Sequence, residues 1–193
     1  KEEEKSSEQV VQAVAIGRTV DAGGSTPNGK TLLYSYDGKI WNIGTGSSFN
    51  YNTVDAQYTG GGVNFGNNMW VATGWNKDTN VNILYSNDGI NWKDSFRNDG
   101  MSIFYNGEPG GGAIKRGSNV AYGKDKWVAV GKSENNEANI LYSANGICWD
   151  IATMLDGTSI FPGTSNLDGG RGINYGKDKW VAVGKSENNE ANI

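Results

Sequence analysis

Ser86-Asn87-Asp88-Gly89-Ile90-Asn91-Trp92 decides the fold, because the chain contains the same pattern three times. It recurs at residues 35–41 and 143–149, with Ser two residues before Asp or Asn, then Gly, then Trp three residues later. Asp and Asn oxygens bind nearby backbone N–H groups and Gly adopts positive φ, so the pattern predicts a tight turn between two strands. We call these three segments the turn motifs.

A second segment repeats upstream of each turn motif. Ala13-Val14-Ala15-Ile16-Gly17 corresponds to Trp-Val-Ala-x-Gly at residues 70–74, 127–131 and 180–184, and the four glycines are spaced by 57, 57 and 53 residues. Residues 175–193 are identical to residues 122–140. Repetition at this period indicates one supersecondary unit that is used four times.

Each complete unit predicts four antiparallel strands. The first strand has the pattern apolar-x-aromatic-Gly, and a two-residue turn joins it to the second, Trp-Val-Ala strand. The third strand contains Leu-Tyr-Ser, and the turn motif joins it to the fourth, which holds the Trp of the turn motif. Trp127 and Ala129 point to one face of the sheet and Val128 and Val130 to the other, which is typical of a sheet covered on both sides. We therefore expect an all-β protein, a β-propeller of four-stranded antiparallel blades, with about four partly incomplete blades in the chain.

The repeats divide the chain into a tail and an array. Residues 1–11 are a polar, charged tail that could end in an edge strand near Val10, and residues 12–193 form the propeller repeats. The predicted blades span about residues 12–50, 51–107, 108–164 and 165–193, the last being incomplete. Closure could come from the N-terminal strand, from a second chain or from a longer array, and we favour the last two over a lone monomer.

Long connectors separate consecutive blades, at about residues 43–62, 95–118 and 151–172. They are rich in Gly, Ser, Asn and Asp, and they share Phe49, Phe104 and Phe161 at similar depth. Connectors of about 20 residues exceed the usual loop length, so each is expected to contain an extra strand or to form a binding surface.

Composition excludes several classes of function. The formal net charge of −4 argues against a nucleic-acid partner, and the chain has no His and one Cys, Cys148. The commonest general base, the commonest zinc ligand, metal sites built from clustered cysteines and an internal disulfide are therefore ruled out, and we expect no metal and no cofactor. A mechanism based on carboxylates, Tyr or Lys stays open. No apolar stretch is long enough for a membrane span.

The turn motif resembles the Asp-box of BNR-type repeats, which occur in sialidases and in many non-catalytic propellers. The resemblance covers nearly all of residues 12–193, with a shortened box and with Asn145 in place of Asp in the third copy. The whole unit is similar to repeats in bacterial surface proteins and in proteins of large DNA viruses, which implies an extracellular, cell-surface or virion-surface location. In that family the box is a folding device away from the active site. The resemblance thus implies a structural role for Ser35, Asp37, Gly38, Trp41, Ser86, Asp88, Gly89, Trp92, Ser143, Asn145, Gly146 and Trp149.

Three functions stay in view. The first is a non-enzymatic binding or scaffold module, multivalent or oligomeric, that holds a protein or glycan on its loop face and completes its propeller as a homo-oligomer. The second is a glycan-binding lectin. A sialidase-like glycoside hydrolase is the least favoured, because the arginines do not stand in the sequence context that a sialidase implies. The candidate ligand-face residues are Trp75, Arg97, Tyr105, Arg116 and Arg171.

Overall fold

A computed structural model describes residues 9–17, 31–49, 61–75, 81–98, 103, 116–133, 139–158, 160–161 and 169–185. These residues contain strands and turns and no helix, which confirms the predicted all-β class. Residues 1–8 of the predicted tail and the connector residue Phe104 lie outside the described residues.

The strands form four sheets that follow one another along the chain. The first sheet contains β1 (Ala13–Ile16), β2 (Leu32–Ser35) and β3 (Asn42–Ile43). The second contains β5 (Val63–Gly66), β6 (Met69–Thr73), β7 (Ile83–Ser86) and β8 (Asn91–Asp94), joined at its edge by β4 (Thr45–Gly46). The third contains β10 (Arg116–Gly123), β11 (Lys126–Lys132), β12 (Ile140–Ser143) and β13 (Cys148–Ile151), joined by β9 (Phe96–Arg97). The fourth contains β14 (Gly169–Gly176) and β15 (Lys179–Lys185).

The first hairpin of each complete unit closes through a two-residue turn. Asn67 and Asn68 both have positive φ, of 47° and 56°, and Lys124 and Asp125 repeat this at 46° and 56°. Two consecutive residues with positive φ define a type I′ turn, which matches the twist of the flanking strands. Asn favours this conformation, whereas Lys124 adopts it against its intrinsic preference.

Two short strands, which we call the straps, connect the first sheet to the second and the second sheet to the third. The strap β4 continues from the first sheet and pairs in parallel with β8, with Thr45 opposite Asn91. The strap β9 continues from the second sheet and pairs in parallel with β13, with Phe96 opposite Cys148. The straps occupy the start of two of the long connectors, and they make the second and third sheets five-stranded and mixed. The predicted blades of four antiparallel strands were wrong in this respect.

Consecutive sheets pack face to face, and the alternation of side chains along each strand explains why. In β11, Trp127 and Ala129 pack in the core shared with the second sheet, whereas Val130 packs in the core shared with the fourth. In β6, Ala72 packs towards the first sheet and Val71 towards the third. Successive residues of a strand point to opposite faces, so one apolar strand supplies two cores. The predicted two-sided burial is confirmed for these strands.

The connector phenylalanines close the cores over a glycine of the following sheet. Phe49 is fully buried, and a Cβ on Gly74 of the second sheet would lie 2.7 Å from its ring. Phe161 stands in the same relation to Gly184 of the fourth sheet, at 2.8 Å. Only glycine leaves room for a ring at this distance, which accounts for the glycine that ends the Trp-Val-Ala segment.

The stack of sheets is not closed into a ring within the described residues. Contacts between sheets join β1 with β5, β5 and β6 with β10, and β10 and β11 with β14, and no comparable contact joins the described strands of the fourth sheet to the first. The described strands therefore do not form a closed propeller, and closure by a second chain or by a longer array stays a prediction. The structure shows an open array of four stacked sheets.

Candidate functional site

Each turn motif is built around one serine hydroxyl and one Asp or Asn oxygen. In the second motif, Ser86 Oγ donates to Asp88 Oδ1 at 2.9 Å and accepts the backbone N–H of Gly89 at 2.9 Å. Asp88 Oδ1 also accepts the backbone N–H groups of Ile90 and Asn91, at 2.8 and 2.7 Å. The first motif has the same bonds around Ser35 and Asp37. Gly89 closes the turn with a φ of 74°, a backbone conformation that glycine adopts more readily than other residues.

The hydrogen bonds of the turn hold the carboxylate of Asp88 in its charged form. Partial burial opposes ionisation, but donors from the backbone and side chain of Asn91, from Ile90 and from Ser86 outweigh it, and the pKa of Asp88 falls to about 2. Asp88 Oδ2 accepts the Asn91 side-chain amide at 2.8 Å. In the first motif, bonds from the backbone N–H groups of Ile40 and Lys39 lower the pKa of Asp37.

Asn145 reproduces the geometry of the aspartates in the third motif. Its Oδ1 accepts the backbone N–H groups of Ile147 and Cys148, both at 2.9 Å, and the hydroxyl of Ser143 at 3.1 Å. One neutral oxygen therefore makes the three bonds that a carboxylate oxygen makes elsewhere. The motif requires an acceptor at this position and does not require a charge.

The turn motifs of the second and third sheets also pack against the sheet that precedes them. A Cβ on Gly89 would lie 3.0 Å from Val11 and 3.2 Å from Val14 of the first sheet. A Cβ on Gly146 would lie 3.0 Å from Met69 and 3.1 Å from Val71 of the second sheet. Each motif is therefore part of an interface between sheets as well as a turn within one.

The tryptophans that end the motifs fill the same interfaces. Trp92 and Trp149 are 2% and 0% exposed and belong to the cores between sheets, whereas Trp41 of the first sheet is 40% exposed. Trp149 Nε1 donates to the carbonyl of Gly146 at 3.2 Å. Trp92 and Trp149 therefore serve packing between sheets, and their rings are not accessible to a ligand.

Among the candidate ligand-face residues, Trp75 and Arg97 are held in the fold. Trp75 is half-buried and packs at the margin of the core between the first and second sheets, around Phe49. Arg97 lies in the strap β9, where it is 5% exposed and stands opposite Trp149. Tyr105 lies outside the described residues. Trp75 is thus packed against the fold, and its assignment to a ligand face stays a prediction.

Arg116 and Arg171 are not equivalent, although both lie in the predicted connectors, at residues 95–118 and 151–172. Arg116 begins β10, is 7% exposed and pairs with Lys132. Arg171 lies inside β14, where it is exposed and is the residue skipped by the β-bulge between Gly170 and Gly172. A bulge places an extra residue on one strand and turns its side chain away from the ladder. The two arginines thus share neither burial nor register.

A groove of about 510 Å³ opens beside the second turn motif, between the segment before β1 and the hairpin of β5 and β6. Its exposed apolar walls are Val10 and Phe65, at 75% and 51% exposure, and the ring of Phe65 lies 4.8 Å from that of Trp70. The groove is lined by Val10, Val11, Gln12, Phe65, Asn68, Trp70, Asn87 and Asp88. Apolar rings beside amide and carboxylate groups give a surface that can stack on a ring and bind its hydroxyls.

The sequence did not single out Phe65, although a signal was present. In the other complete units its position holds Tyr122 and Tyr175, whose rings cover Gly66 and Gly123 of the preceding sheet. Phe65 belongs to the second sheet, and the described first sheet begins at β1 and has no strand in the place of β5. A repeated core position therefore becomes an exposed ring at this point of the array.

Metal chemistry has no evident place in the described part of the chain. No group of three or more Cys, Asp or Glu side chains that could hold an ion occurs there. No helix among these residues is long and apolar enough to cross a membrane.

Comparison with known proteins gives remote structural similarity only. No family model and no curated protein matches the sequence. A glycosyl hydrolase from Bacteroides ovatus aligns with 95% of this chain at 15% identity and a TM-score of 0.44, and a GH32 β-fructofuranosidase, BmSUC1, of Bombyx mori aligns with 92% at 15% identity and 0.37. The chain covers 63% and 42% of these two proteins, less than two thirds of either. Their activities do not transfer to this chain at such similarity.

Proposed function

We propose that this chain is a non-enzymatic binding module, in which the stacked sheets are a scaffold that presents a ligand-binding surface for a protein or a glycan. The observation that carries the proposal is the engagement of the turn-motif carboxylates in local hydrogen bonds. Asp88 accepts four donors, and Asp37 accepts the backbone N–H groups of Lys39 and Ile40 together with the hydroxyl of Ser35.

A carboxylate in this state is poorly suited to glycoside hydrolysis. A general acid needs a pKa raised towards the working pH, whereas the pKa of Asp88 is about 2. A nucleophile needs a free lone pair aimed at the substrate, whereas both oxygens of Asp88 are bound to groups of its own turn. In the third motif a neutral amide takes the place of the acid without change in the bonding.

The repeated contacts between sheets support the scaffold part of the proposal. Each strap and each buried turn motif ties a sheet to its neighbour, in addition to the apolar cores between them. A ligand-binding surface on rigidly connected sheets loses little conformational entropy when the ligand binds, and this favours affinity.

Glycan binding is the second candidate, and the groove beside Phe65 favours it. A volume of about 510 Å³ suits a short oligosaccharide, an exposed ring can stack on a sugar face, and Asn68 and Asn87 provide amide donors and acceptors. The groove lies beside a turn motif, so this candidate does not use the loop face on which the sequence placed ligand binding.

Turnover assays test the main proposal. The protein is incubated with fluorogenic glycosides, including sialosides and fructosides, and release is compared with that from heat-unfolded protein. We expect no difference, because the turn-motif carboxylates Asp37 and Asp88 are bound to groups of their own turns. Saturable release that Asp88→Asn abolishes while the fold is retained would overturn the proposal.

A glycan panel with two matched variants tests the second candidate. Phe65 and Phe96 are 51% and 52% exposed, but only Phe65 lines the groove. We expect Phe65→Ala to weaken glycan binding by about tenfold, since loss of one stacked ring costs on the order of 1 kcal/mol or more, and Phe96→Ala to leave it unchanged. Equal affinities of the two variants would refute the assignment of glycan binding to this groove.

A further inference from the structure

The two ends of the stack expose the two halves of an interface that forms repeatedly inside it. On the face that looks towards the following sheet, Val71 and Thr73 of β6 are fully buried and Val130 of β11 is 0% exposed. The same positions of β15 are Val181 and Val183, which are 53% and 41% exposed. The fourth sheet thus presents, uncovered, the face that the second and third sheets bury against a neighbour.

The first sheet presents the opposite half. Trp92 and Trp149 look towards the preceding sheet and are buried there, whereas Trp41, at the same repeat position, is 40% exposed. Ile43 lies two residues further along the strand, on the same face, and is 48% exposed, and its counterpart Ile151 packs against the core between the second and third sheets.

The glycine contacts show the same asymmetry. Gly89 and Gly146 of the turn motifs each approach the preceding sheet, whereas a Cβ on Gly38 would meet nothing within 4 Å. At the other end, Gly66 and Gly123 are covered by Tyr122 and Tyr175 of the following sheet, whereas Gly176 has open space.

We propose that the first sheet of one copy packs on the fourth sheet of a second copy, head to tail, through Trp41 and Ile43 against Val181 and Val183. A second copy is the occupant because every chain carries both halves of the interface, in the same repeat positions that already pair within the chain. The contact is heterologous, since two different faces meet, so it generates closed rings or open chains of copies. This inference concerns the ends of the stack and does not depend on the ligand that the module binds.

Molar mass in solution tests the proposal, measured by sedimentation equilibrium from about 1 µM to about 1 mM, the range of weak association. We expect a mass that rises with concentration from 20.7 kDa to at least twice that value. Trp41→Glu and Val181→Glu are each expected to weaken self-association by at least about tenfold, because each buries an unpaired charge against an apolar face. Phe96→Glu, at an exposed position away from both ends, is the control and is expected to associate like the unmodified protein.

Mixing the two end variants separates head-to-tail packing from other arrangements. A copy with Val181→Glu keeps its Trp41 face, and a copy with Trp41→Glu keeps its Val181 face, so the mixture retains one intact interface per pair and is expected to form 1:1 dimers. A monomer at all concentrations overturns the proposal, as does a Trp41→Glu variant that associates normally while Val181→Glu does not. Ile43→Glu replaces Trp41→Glu if circular dichroism shows that the latter does not fold.

Discussion

Gly38 and Gly146 have the same backbone conformation in different surroundings, which isolates the contribution of the turn motif to packing between sheets. Their φ angles are 73° and 74°, but a Cβ on Gly146 would lie 3.0 Å from Met69 and 3.1 Å from Val71, whereas a Cβ on Gly38 would meet nothing within 4 Å. Alanine at positive φ costs about 1–2 kcal/mol at either position. Overpacking adds about 1–3 kcal/mol at Gly146 alone. We therefore expect Gly38→Ala to lower the free energy of unfolding by about 1–2 kcal/mol and Gly146→Ala by about 2–5 kcal/mol.

Urea unfolding at 25 °C measures both values, with far-UV circular dichroism and tryptophan fluorescence recorded on the same samples. Coincidence of the two transitions shows that a single free energy of unfolding describes each variant, a point that needs checking in repeat arrays. Equal destabilisation by the two substitutions would show that the backbone cost is the whole effect. The turn motif would then act within its own sheet only, and its assignment to the interface between sheets would be wrong.

Three further substitutions follow from the described contacts. Lys124→Asn should raise the free energy of unfolding by about 0.5–1 kcal/mol in urea titrations, since Asn tolerates the positive φ of the type I′ turn, and Lys126→Asn should give no gain. Asp88→Asn should remove part of the acid sensitivity. The lowered pKa of Asp88 stabilises the fold above about pH 4, and this contribution is lost as the pH falls towards 2. Thermal melts should therefore show that the free energy of unfolding falls by about 1 kcal/mol less between pH 5 and pH 2 in the variant than in the unmodified protein, after allowance for solvent screening. Phe49→Ala should cost about 3–5 kcal/mol of unfolding free energy, because its buried ring closes a core, and Phe96→Ala should change stability by less than about 0.5 kcal/mol.

Local chemistry explains why much of the fold was predictable from sequence. The alternation of Trp127 and Ala129 with Val128 and Val130 fixes two apolar faces on one strand, and the chain repeats it at a constant period. The same holds for the turns, since Asn67-Asn68 between two apolar runs specifies a short hairpin. These features depend on neighbours within a few residues, so they can be read without knowledge of the tertiary structure.

An extra strand was one of the two roles expected for the connectors, but the sequence could not locate the straps or their partners, nor place the arginines, for a physical reason. Thr45 and Gly46 pair with Asn91 and Trp92 of the next sheet, and a two-residue strand has no periodicity of its own. The two arginines differ by 55 residues in number, whereas β10 and β14 correspond at a spacing of 53, so Arg171 takes the place of Ser118 on the bulge while Arg116 begins its strand. The groove at Phe65 likewise forms because the described first sheet has no strand in the place of β5, and the residues around Phe65 carry no sign of this.

The turn motif couples sheets because its chemistry and its position act together. Hydrogen bonds to Asp88 and Ser86 fix the turn without help from any other sheet, so the turn is already shaped before it meets Val11 and Val14. A preformed turn pays little entropy when the preceding sheet packs on it. Asn145 satisfies the same requirement with a neutral oxygen, which indicates that the motif supplies shape to the interface and that its charge is dispensable there.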